Sequence, residues 1–95
     1  MKTTRQLRIS GRVQGVGYRD ALRRKALACG LAGWVRNRLD GTVEAVLQGD
    51  ARSVEEVVVW ARRGPPAARV DRVDAQPAQG ESDRLYAGFE MLPTA

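Results

Sequence analysis

Ser10-Gly11-Arg12-Val13-Gln14-Gly15-Val16-Gly17-Tyr18-Arg19 is the stretch whose reading decides the fold. It joins an alternating run, Gln6 to Ile9, to a helical pattern that starts near Asp20. A strand, a glycine-rich turn and a helix in that order form a natural anion cradle. Glycines let the backbone curl until several N–H groups point to one place, and the helix N-terminus adds its positive end. Arg19 closes the turn with a planar fork of donors suited to phosphate or carboxylate oxygens. The turn is not a Walker A loop, because no Gly-Lys-Ser/Thr follows Gly17. Gly15-x-Gly17 is half of a dinucleotide fingerprint, but position 20 is Asp, and 95 residues are too few for a doubly wound nucleotide domain. A structural glycine-rich connection with a surface arginine fits the same residues.

Outward from this turn the periodicity predicts the remaining elements. Residues 6–12 form the first strand, with Leu7 and Ile9 on one face and Arg8 and Ser10 on the other. Tyr18, Leu22, Ala26 and Cys29 fall at helical spacing, with Gly30 as the stop. Trp34–Arg38 and Thr42–Gln48 read as strands joined through Asp40-Gly41, a strong hairpin signal. A second helix spans about Ala51 to Arg63, buried through Val54, Val57, Val58 and Ala61 with Trp60 at the edge. It begins at a Ser53-x-x-Glu56 capping box or at Asp50, and Gly64-Pro65-Pro66 ends it. Arg69–Ala75 is the fourth strand, Gln76–Asp83 a loop, and Leu85–Met91 a closing strand with Phe89 inward. Each helix has one apolar stripe, so both must share one face of an antiparallel sheet in an α+β sandwich.

Composition bounds the function. Residues 1–95, 43% hydrophobic and 28% charged, read as a single globular domain. No apolar run approaches the roughly 20 residues needed to span a bilayer, so no membrane partner is expected. The N-terminal residues lack the apolar segment of a signal peptide, which makes the cytoplasm the expected location. Cys29 is the single cysteine and reads as a small core residue. Sixteen basic residues against 11 acidic give a net charge of +5, which attracts anions. The basic residues are scattered rather than gathered on one face, so nucleic acid is not the expected partner. A small anion is.

The turn is followed by Gly33-Trp34-Val35-Arg36-Asn37 and Asp40-Gly41-Thr42-Val43-Glu44, then by Arg63-Gly64-Pro65-Pro66-Ala67, Arg69-Val70-Asp71 and Gly88-Phe89-Glu90. Together with Gly11–Arg19 these motifs resemble the acylphosphatases over nearly the whole chain. The resemblance implies a ferredoxin-like βαββαβ sandwich that hydrolyses acyl phosphates without metal or cofactor. It further implies that Gln14, Gly15, Val16, Gly17, Tyr18 and Arg19 bind the phosphate and that Asn37 positions the attacking water. The expected partners are then a small acyl phosphate and inorganic phosphate, as product and inhibitor, on a monomeric enzyme.

The residue inventory agrees with such chemistry. With no histidine, Ser-His-Asp arrangements are unavailable. Asp40 is a turn residue, and Asp20 is a first-turn helix acid. Catalysis must rest on positioning and electrostatics, which suits an acyl phosphate because its leaving carboxylate needs little protonation. An asparagine can both accept from and donate to a water. Asp20, Ala21 and Arg38 depart from the family's usual residues, and the first and last bear on phosphate affinity through their charge. The rival class is a ferredoxin-like binding module, but only Trp34, Tyr86 and Phe89 offer aromatic faces on the strands.

Overall fold

The computed structural model describes residues 1–95. Its elements run β1 (Lys2–Arg12), α1 (Tyr18–Ala28), β2 (Ala32–Asn37), β3 (Val43–Asp50), α2 (Ala51–Ala61), β4 (Arg69–Pro77), a 3-10 turn at Gly80–Ser82, and β5 (Phe89–Met91). The strands form one sheet in the order β4-β1-β3-β2-β5. α1 packs over β2 and β5, and α2 packs over β1, β3 and β4, so both helices cover the same face. Leu7 pairs with Ala45 and Ile9 with Val43 across the two central strands. All four side chains point under the helices and are fully buried.

The helix stripes bury the residues that their spacing predicts. α1 contributes Tyr18, Leu22 and Ala26, and α2 contributes Val54, Val57, Val58 and Ala61. Trp60 lies at the core edge, its ring 5.8 Å from that of Tyr18. Valine is a weak helix former, so this burial rather than propensity holds α2. The β2–β3 turn is fixed by Asp40, whose Oδ1 accepts from the Thr42 amide at 3.0 Å and hydroxyl at 2.6 Å. Gly33 admits no side chain, since a Cβ there would meet the Val46 carbonyl oxygen at 1.9 Å.

Three expectations are corrected and one open alternative is decided. The sheet is mixed rather than antiparallel, because β5 runs parallel to β2. The chain reverses after β4 and crosses to the far edge of the sheet, and β2 already runs opposite to β4. The closing strand is also shorter than Leu85–Met91: Leu85 is exposed, and the segment before Phe89 spends its polar groups on side chains. Tyr86 N donates to Gln48 Oε1, and Trp34 Nε1 donates to the Tyr86 hydroxyl. The second helix starts at Asp50, whose side chain accepts from the Arg52 amide at 3.1 Å. Glu56 forms no capping box; it turns to Lys25 at 2.9 Å and to Cys29. Cys29, finally, is only partly buried, at the C-terminal end of α1.

On the sheet face away from the helices, one carboxylate gathers three arginines. Glu44 is buried, with its side chain 5% exposed. It accepts from Arg36 Nε at 2.9 Å, Arg38 at 3.3 Å and Gln6 Nε2 at 2.7 Å, and Arg8 stands 3.8 Å away. Burial alone would raise its carboxyl, but the hydrogen bonds from Arg36 and Gln6 and the charges of Arg36 and Arg38 outweigh that and hold it below the ordinary range. A carboxylate that is more acidic in the folded state stabilises the fold fully above its ordinary value. That contribution fades as pH falls through the lower folded value. Glu44→Gln should therefore cost about 1–2 kcal/mol near neutrality, since the arginines remain partly solvated. The gap in thermal midpoint between parent and variant should close as pH falls below about 4.3. A gap of constant size from pH 7 down to 3 would show that the charge of Glu44 contributes nothing.

Candidate active site

Residues 13–17 carry the chain from the centre of the sheet to the first turn of α1. Gly17 is the residue before the helix, held left-handed at φ 79°, and Gly15 is similar at φ 74°. Glycine adopts this conformation without the steric cost that a Cβ imposes. The residue at Gly17 would ordinarily be Ser, Thr, Asp or Asn, whose side chain caps the helix. Glycine supplies no such cap. No backbone N–H from Gln14 to Asp20 donates to an acceptor within the chain. A helix end with free donors carries partial positive charge.

Neighbouring side chains pin this loop from beneath. Val13 is buried and Val16 packs against the core. Tyr18 is 1% exposed, and its hydroxyl donates to the Ala61 carbonyl at 2.8 Å, fastening the start of α1 to the end of α2. Burial pushes that hydroxyl well above its ordinary value, so it stays protonated.

The loop faces a cleft of about 140 Å³, lined by Gly15, Gly17, Arg19, Asp20 and Asn37, with Val13, Tyr18 and Met91 completing the wall. Arg19 and Asn37 thus come from different elements to one place. Arg19 makes no ion pair, whereas the other charge on the wall, Asp20, reaches Arg24 at 3.0 Å one turn along the helix. Asn37 lies on the helix side of β2, and its Oδ1 is buried with no hydrogen-bond partner. A buried acceptor left unpaired costs free energy, so this oxygen is available to a polar partner. Arg38, the next residue, points to the opposite face and is spent on Glu44. Of the two departures in charge, Asp20 stands on the wall of the cleft and Arg38 does not.

The Gln14 side chain is committed elsewhere: its carboxamide donates to the carbonyls of Arg38 and Thr42 at 2.8 and 2.9 Å. Gln14 is not among the residues lining the cleft, and its side chain braces the loop against the hairpin that carries Asn37. Met91 is the wall residue that sequence reading missed. Its signal is the parallel pairing of β5 with Val35, two residues before Asn37.

An uncapped helix end, an arginine without an ion pair and an unpartnered asparagine oxygen in one cleft are groups of the kind that suit an oxyanion. Residues 5–91 match the acylphosphatase family model. The chain is 53% identical over 90 residues to an acylphosphatase of Thiobacillus denitrificans, spanning 95% of this chain and 96% of the relative. It is 56% identical over 93 residues to one from Thermococcus kodakarensis, spanning 97% and 99%. The acylphosphatase structure from Coxiella burnetii superposes with a TM-score of 0.88 at 35% identity, covering 96% and 93% of the two chains. The chain belongs to the acylphosphatase family. It is an enzyme of acyl phosphate hydrolysis.

Removing the Gln14 brace should separate the loop from Asn37 without emptying the core. Gln14→Ala should cost about 1–2 kcal/mol, because two carbonyls lose their shared donor, and should lower acyl phosphate turnover as well. Unchanged stability and turnover would show that the brace has no consequence.

Proposed function

We propose that hydrolysis proceeds without a metal ion, with the phosphate held by the amides of Gln14 to Tyr18 and the Arg19 fork and with Asn37 placing the water. The single observation that carries this reading is the buried, unpartnered Oδ1 of Asn37 in the cleft that Arg19 also lines. A water held by the Asn37 carboxamide, which can both donate and accept, turns an oxygen lone pair toward phosphorus. The new bond forms from water oxygen to phosphorus as the bond from phosphorus to the acyl oxygen breaks, and the carboxylate leaves with its electron pair. Asn37 is no base and Asp20 is engaged with Arg24, so the water's proton passes to a phosphate oxygen. The chain has no histidine, and nowhere do three or more of its cysteine, aspartate and glutamate side chains form a group able to hold a metal ion. The donors that stabilise developing charge on phosphorus are then the amides and Arg19, fixed before the substrate arrives.

Benzoyl phosphate hydrolysis should continue at full rate in excess chelator; activity lost to the chelator and restored by Mg²⁺ or Zn²⁺ would sink the metal-free reading. Asn37→Ala should lower kcat on the order of a hundredfold with little change in phosphate binding. A folded Asn37→Ala protein with full turnover would remove Asn37 from the mechanism. Arg19→Lys keeps the charge but loses the fork. It should lose most turnover, and inorganic phosphate, a competitive inhibitor of the parent, should raise its thermal midpoint less than the parent's. Equal phosphate-induced shifts in the two proteins would show that Arg19 does not touch the anion.

A further inference from the structure

On the far side of α1's first turn from Asn37 lies a second, larger depression of about 580 Å³. Ala21 and Arg24 line it from α1, Trp60 and Arg63 from the end of α2, and Pro65 and Pro66 from the following turn. Helical spacing separates the two flanks: Arg19 faces β2 and β5, as does Arg23 one turn on, whose Nε donates to the Phe89 carbonyl at 3.0 Å. Ala21 and Arg24 face outward and toward α2. Cleft and depression flank the first turn of α1 as neighbours: Tyr18, which walls the cleft, is buried with its ring against Gly64 of the depression, where a Cβ on Gly64 would come within 2.9 Å of it.

In-line displacement at phosphorus puts the leaving oxygen opposite the attacking water. With the water at Asn37, the acyl group leaves away from β2, over the first turn of α1 and toward this depression. Proline rings and the indole edge of Trp60 give it an apolar floor. Its rim is cationic: Arg24 pairs with Asp20 at 3.0 Å, whereas Arg63 is exposed and makes no ion pair. Lys25 stands close enough to Arg63 for the two charges to be felt.

We propose that this depression between the helix ends receives the acyl group and that Arg63 favours acyl groups with an apolar body ending in a second anion. The inference rests on the water-placing role of Asn37 and deepens it, naming the substrate class as acyl phosphates of aromatic or extended dicarboxylic acids.

The test compares hydrolysis of acetyl phosphate, benzoyl phosphate and 4-carboxybenzoyl phosphate by the parent, Arg63→Gln, Arg63→Glu and Arg62→Gln. Arg62 is also exposed but does not line the depression. The parent should prefer 4-carboxybenzoyl over benzoyl phosphate in kcat/KM. Arg63→Gln should lower that preference about threefold to fivefold, as expected for a half-solvated ion pair, and Arg63→Glu should lower it further. The change should fall on KM, because a remote carboxylate is bound alike in ground and transition states. Arg62→Gln should keep the parent's preference. A preference unmoved in both Arg63 variants, or moved as far by Arg62→Gln, overturns the assignment while leaving the hydrolase reading intact. A parent that hydrolyses none of the three overturns the hydrolase reading and this assignment with it.

Discussion

Turning the chain through a left-handed Gly17 into α1 leaves the first turn of that helix without a side-chain cap, and most of the surrounding structure exists to hold that unfavourable arrangement still. Free amides at a helix end are normally satisfied by a cap or by water. Here they are gathered in one loop, and the loop is pinned on every side. Val13 and Val16 sink into the core, the Tyr18 hydroxyl holds the end of α2, and the Gln14 carboxamide holds the β2–β3 hairpin. A cradle fixed in advance need not reorganise when negative charge develops, and that is where electrostatic stabilisation draws its advantage.

The same economy explains how a chain of net charge +5 can direct its positive field at a small site. On the sheet face away from the helices, three arginines lie around the buried carboxylate of Glu44, and a fourth, Arg72, pairs with Asp74 at 2.9 Å. That face is basic in composition but largely paired in structure. Its aromatics are paired as well: Trp34 carries Arg36 over its ring, and Tyr86 carries Arg84. Neither ring lies bare on that face as a base-stacking platform would. On the helix side of the sheet, Arg19 stands without an ion pair beside the uncapped helix end.

Much of this was legible from residue order. The spacing of Tyr18, Leu22 and Ala26, and of Val54, Val57, Val58 and Ala61, identified both buried helix faces, because periodicity is a local property. Asp40-Gly41 marked the hairpin for the same reason: a turn carries its own chemistry in its residues. Local reading failed where partners lie far along the chain. The Ser53-x-x-Glu56 pattern resembles a capping box, yet Glu56 is drawn to Lys25 and Cys29, 31 and 27 residues away. The direction of β5 depends on where the chain crosses the sheet, and no residue within β5 encodes that.

By itself the sequence determined the strand–turn–helix at residues 6–28, the identity of Arg19 and Asn37, and the absence of any histidine to serve as base. Those follow from residue types and short-range spacing. Tertiary structure alone decided that the Gln14 side chain braces the hairpin, that Asp20 pairs with Arg24 and Arg38 with Glu44, and that Oδ1 of Asn37 is buried without a partner. Side-chain commitments of this kind are made by whichever donor or acceptor the fold brings within about 3 Å, and the distance along the chain carries no record of it.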